Sequence, residues 1–107
     1  MGKKTIYRQG DVLVVRIDEI PSSATPVAAG RVEGRLVLAY GEVTGHHHSV
    51  AVKDARMLET AEAVFLQIMT ATPLEHQEHA TILLKPGSYR VVRQREYAPE
   101  AIRMVAD

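Results

Sequence analysis

The sequence predicts an all-β protein, a small antiparallel barrel or sandwich with a possible short helix at the C-terminus. Two observations carry that expectation: short strand-like runs recur at close spacing, and Gly and Pro turns separate them.

The first clear element is DVLVVRIDEI, Asp11 to Ile20, introduced by Gly10. Its β-branched content favours a strand apolar on both faces near its start. Pro21 and SSATPVAAG then read as a loop punctuated by Pro26 and Gly30. RLVLAY, Arg35 to Tyr40, is a second strand that ends at Gly41. EVTGHHHSVAV keeps β character but has Gly45 at its centre, where a glycine suggests a bulge that re-aims side chains. On a regular strand His46 and His48 share a face and His47 points away.

Asp54 to Met69 supports two readings. Met57, Leu58, Ala61, Phe65, Ile68 and Met69 fit a helical stripe, whereas VFLQIMTAT has strand character. The preferred reading is a hairpin turning near Thr60 to Glu62, with a helix as the alternative. Pro73 marks a turn, ATILLK a strand, and Pro86-Gly87 another turn. SYRVVRQREY is a long strand that becomes polar on both faces at Arg93, Gln94, Arg95 and Glu96. APEAIRMVAD is a short helical turn or an edge strand.

With 107 residues and an apolar fraction of 46%, the chain is expected to form one domain, 1–107, with a core that needs no disulfide. Cysteine is absent, which excludes thiolate metal sites. Thirteen basic and thirteen acidic residues balance, so net charge gives no electrostatic case for nucleic acid or an anionic membrane. No apolar run is long enough to span a bilayer, and a cytoplasmic location is the default expectation.

The five histidines fall in two clusters, His46, His47 and His48 in GEVTGHHHSV, and His76 and His79 in PLEHQEHA. Imidazole is the commonest protein metal ligand. If folding joins the clusters, His46, His48, His76 and His79 form a site for a divalent transition metal. Zinc comes first, with nickel, manganese or iron as alternatives. Glu42, Glu75 and Glu78 are candidate ligands or outer partners. With one position open, bound water would attack an ester, amide or phosphodiester, with Glu78 or Glu42 as general base and Arg95 as anion clamp. The alternatives are a non-catalytic binding or assembly module, and a metal-free nuclease-like enzyme acting on RNA through His, Glu and Arg93 or Arg95. The substrate is a small molecule or nucleic acid of unknown identity, and an exposed sheet edge makes a homodimer conceivable.

YRQGDVLVV, GEVTGHHHSV, LEHQEHATILLKPGSYRVVRQREY and RMVAD together resemble a family of small uncharacterised bacterial proteins. The resemblance implies a compact β-rich domain and favours the hairpin for Asp54 to Met69, but it implies no activity. A looser similarity is to cupins, which place a His-x-His pair and a Glu on one strand and a further His on another. His46 and His48 match the pair, and His76 or His79 the later ligand. Val52 and Lys53 stand where the glutamate would fall, and Pro86-Gly87 follows the second cluster instead of preceding it.

Overall fold

Eleven strands and one short 3-10 turn make up a computed structural model that describes residues 5–27, 31–32, 34–40 and 45–93. The strands are β1 (Ile6–Gln9), β2 (Val12–Ile17), β3 (Thr25–Pro26), β4 (Arg31–Val32), β5 (Arg35–Tyr40) and β6 (His47–Ala51). After the turn at Val52–Asp54 come β7 (Ala55–Glu59), β8 (Val64–Ile68), β9 (Thr72–Leu74), β10 (Ile82–Leu84) and β11 (Gly87–Arg93). The fold is all-β. Among the described residues no helix is long and apolar enough to cross a membrane.

Six strands form one sheet in the order β1-β2-β11-β8-β7-β3, three form β4-β5-β6, and β9 and β10 form a ribbon. All the strand pairings are antiparallel. The ribbon joins β6 through reciprocal bonds between Ser49 and Glu75 (3.0 and 2.9 Å). The expected barrel does not close among the described residues, because β1 and β3 end the large sheet without pairing to each other. β3 is only two residues long and contains Pro26, which has no amide hydrogen to extend a ladder.

All three sheets feed one apolar cluster. Val12, Val14, Leu66, Ile68 and Tyr89 come from the large sheet, Leu36 and Val50 from the second, and Leu74 and Leu84 from the ribbon. Burying each such aliphatic side chain contributes about 1.5–3 kcal/mol. β2 is less symmetric than its sequence suggests, since Val12 and Val14 are buried while Leu13 and Val15 are half-buried.

The hairpin reading of Asp54 to Met69 holds. β7 and β8 pair from Ala55↔Ile68 to Glu59↔Val64, and Thr60 closes the turn by accepting bonds from the Glu62 and Ala63 amides at its hydroxyl. Several expectations need correction. Pro73 lies inside β9, exposed between buried Thr72 and Leu74, a position open to proline in a two-stranded ribbon. β3 falls within the segment expected to be loop. β1 and β4 had no clear signal because both are short and depend on partners. Gly45 is not in mid-strand: it occupies a turn at φ 88° before β6, and the register shift of this sheet lies in β5, between Val37 and Ala39. The possible C-terminal helix and the polar stretch from Gln94 onward lie outside the described residues.

Candidate functional site

The two histidine clusters meet. His48 lies near the start of β6 and is 2% exposed, whereas His76 and His79 come from the segment between the ribbon strands. Ring centroids are 4.4 Å apart for His48–His76, 4.6 Å for His76–His79, 5.9 Å for His48–His79 and 5.7 Å for His46–His76. The strand alternation of β6 explains the inward ring. His48 faces the core side, while half-buried His47 meets Tyr40 edge-on at 6.2 Å. The His47 amide also donates to Gln77 Oε1 (2.8 Å), a second tie between β6 and the ribbon loop.

The turn Gly10–Asp11 lies against the cluster. Gly10 has φ 60°, and a Cβ there would stand 2.7 Å from His79 Nε2. Only glycine combines that left-handed backbone with so close an approach.

His48 is tightly specified. Gln9, also 2% exposed, donates from Nε2 to Leu74 O and to Ala80 O, both at 2.9 Å. Its Oε1 is thereby turned toward His48 Nδ1 at 2.8 Å. A flipped amide would set Oε1 against two carbonyl oxygens, so Oε1 accepts and His48 Nδ1 carries the proton. The Nε2 lone pair of His48 is left for the cluster side, where Asp11 Oδ1 stands 3.9 Å away. Asp11 Oδ2 in turn accepts from Arg93 Nη2 at 3.2 Å.

Electrostatics keep the inner rings neutral. The His48 pKa falls from 6.5 to about 4, first through burial and then through the neighbouring His76, with Asp11 opposing. His76 is also lowered, by burial and then by His79 and His46. Neutral imidazoles are the form that ligates a metal. His76 has its Nδ1 lone pair occupied by the Glu78 amide (3.0 Å). Among the described residues, no group of three or more His, Asp or Glu side chains already stands in an arrangement that could hold an ion.

The predicted site residues divide clearly. His46, His48, His76 and His79 come together, and Glu78 Oε2 joins them 3.5 Å from His46 Nδ1. Glu75 is engaged by Arg35 (2.9 Å), and Ser49 Oγ accepts from Arg35 Nε (3.0 Å). Glu42 and Arg95 lie outside the described residues, as does Glu96. The described sheets do not close into a barrel. Sequence reasoning missed Gln9 and Asp11. Their signal was the QGD turn before β2, legible as a hairpin tip but not as a neighbour of His48, nearly forty residues away.

Searches of curated proteins and of solved structures find no match. A family model does match, over residues 8–94, a span that holds β1 from Arg8, both histidine clusters and all of β11. The chain belongs to the family described as a domain of unknown function, DUF8820.

Proposed function

We propose that the protein binds one divalent transition-metal ion at the histidine cluster, with zinc first, and that the bound ion supports hydrolysis of an ester, amide or phosphodiester. The observation that carries the reading is the convergence of four imidazoles from two distant segments around buried, tautomer-fixed His48. With metal–nitrogen bonds of about 2.0–2.1 Å, imidazole centroids around a tetrahedral ion lie roughly 5 Å apart. The spacings of 4.4 to 5.9 Å bracket that value. Ligation requires His76 to release the Glu78 amide and the rings to turn. His79 is exposed and His76 half-buried, so neither ring is locked by close packing as His48 is.

An all-nitrogen site without thiolate suits zinc, nickel or copper better than calcium or magnesium. The rim favours a solvent-accessible ion over an enclosed structural one, because Glu78 and His79 are exposed. At an open position such an ion acidifies water. Glu78, exposed at that rim beside His46, takes the role of proton acceptor.

The test is elemental analysis of untagged protein purified without a nickel resin, which three consecutive histidines would strip. About one equivalent of metal per chain is expected. His46→Ala and His76→Ala, made separately, should each lose or weaken it. Metal-free protein that takes up no zinc, cobalt or nickel when dialysed against each would end the proposal.

A further inference from the structure

We propose that Asp11 is the carboxylate ligand of this centre, and that Gln9 is the positioning residue that turns His48 Nε2 toward it. The inference rests on the metal reading above and adds two residues to the site.

The argument starts from the core. Gln9 is buried with all its polar atoms engaged: two donations to the Leu74 and Ala80 carbonyls, one acceptance from His48. Burying a carboxamide this deeply is costly unless every group is satisfied, and here the satisfaction admits one orientation only. The proton on His48 is therefore assigned to Nδ1 and the lone pair to Nε2. That lone pair faces Asp11 Oδ1 at 3.9 Å. An imidazole with its proton on Nδ1 and a carboxylate oxygen on the Nε2 side can both hold a cation seated between them. Ligand atoms about 2.0–2.2 Å from one tetrahedral ion lie about 3.3–3.6 Å from one another, so the two atoms need close by only a few tenths of an ångström to share an ion.

Arg93 supports the same assignment. Its guanidinium holds Asp11 Oδ2, the oxygen that does not approach His48, and so orients the carboxylate with Oδ1 toward the ring. Asp11 also sits at the tip of a two-residue turn between Gln9 and Val12, which are paired, so its backbone is fixed by the β1–β2 ladder. Gln9 and Asp11 are thus placed by one turn, on either side of Gly10, which itself backs onto His79. A mixed set of imidazoles and one carboxylate has a net ligand charge of −1, which shifts preference toward zinc, manganese or iron and away from monovalent copper.

Cobalt(II) is the probe. Metal-free wild-type protein should bind one cobalt per chain with an absorption band of nitrogen and oxygen ligation. Asp11→Asn keeps an oxygen for Arg93 but removes the charge, and it should weaken cobalt binding by at least about 10-fold, with the band shifted. Circular dichroism of Asp11→Asn should match the wild type, and Asp11→Ser serves if it does not. Separately, nitrogen-15 shifts of metal-free wild-type protein should show His48 with a protonated Nδ1 and an unprotonated Nε2, and Gln9→Leu should lose that preference. Equal cobalt affinity in wild type and both Asp11 variants overturns the ligand assignment while leaving the metal reading intact. A wild-type protein that binds no cobalt overturns both. His48 protonated at Nε2 in the wild type overturns the role of Gln9, whatever the metal result.

Discussion

Acidification of the metal-free protein should unfold it over a window set by His48. In the unfolded chain this imidazole takes up a proton near 6.5, but in the folded chain only near pH 4. Between those values the unfolded state binds more protons, so stability rises with pH across the window and is lost as pH falls through it. Each unit of difference corresponds to about 1.4 kcal/mol, which makes the full loss about 3 kcal/mol once pH reaches 4. The side chain is almost wholly inaccessible to water, so solvent screens little of this effect. His76, lowered for the same reasons, adds to the slope with the same sign.

Urea denaturation of chelator-treated protein at intervals from pH 7.5 to 4 measures this directly. The His48→Phe variant, whose baseline stability differs, should show a shallower slope between pH 6.5 and 4 because one titrating group is gone. Proton NMR of the His48 ring gives an independent midpoint. A midpoint at pH 6 or above, or identical slopes in variant and wild type, refutes the reasoning. Either result would mean that burial and the neighbouring rings do not hold His48 neutral.

Other outcomes follow from the same geometry. Gly10→Ala places a Cβ 2.7 Å from His79 Nε2 and forces alanine to φ 60°, so it should cost about 1–2 kcal/mol in thermal melts and lower metal occupancy together. Leu66→Ala empties a fully buried position of β8 and should cost about 2–5 kcal/mol in urea titrations. It should leave metal stoichiometry unchanged wherever the variant is folded. Chelation should lower the melting temperature in proportion to the logarithm of free metal over its dissociation constant, yet leave the far-ultraviolet spectrum of a β protein. Complete unfolding on chelation would make the ion structural and remove the case for hydrolysis.

How much of this was legible in the sequence depended on range. Arg35 to Tyr40 and the β7–β8 hairpin were readable because alternation and turn chemistry are local signals. β1, β3 and β4 were not: two to four residues carry too little pattern, and their existence depends on partner strands. The imidazoles of the site could be named because histidine is scarce and was clustered. Gln9 and Asp11 could not, since glutamine and aspartate beside a glycine ordinarily signal no more than a turn. What gives them a role is a hydrogen bond across 39 residues and an approach to His48 that only the folded chain creates.

The carboxamide of Gln9 also explains why the site stands where it does. Gln9 belongs to the large sheet, His48 to the second, and Leu74 to the ribbon, so one side chain bonds to all three. Its second carbonyl partner, Ala80, lies just beyond His79, which means that the loop carrying His76 and His79 is held near both its ends by Gln9. The apolar cluster beneath packs the same three sheets, but apolar contacts are non-directional and tolerate small rotations of one sheet against another. Three directional bonds at a single buried group do not. The junction that fixes the relative setting of the sheets is therefore the group that fixes the proton on His48. A substitution at Gln9 must accordingly alter ring tautomer and loop position together, whereas one at Asp11 should alter neither and change only what the ring can share.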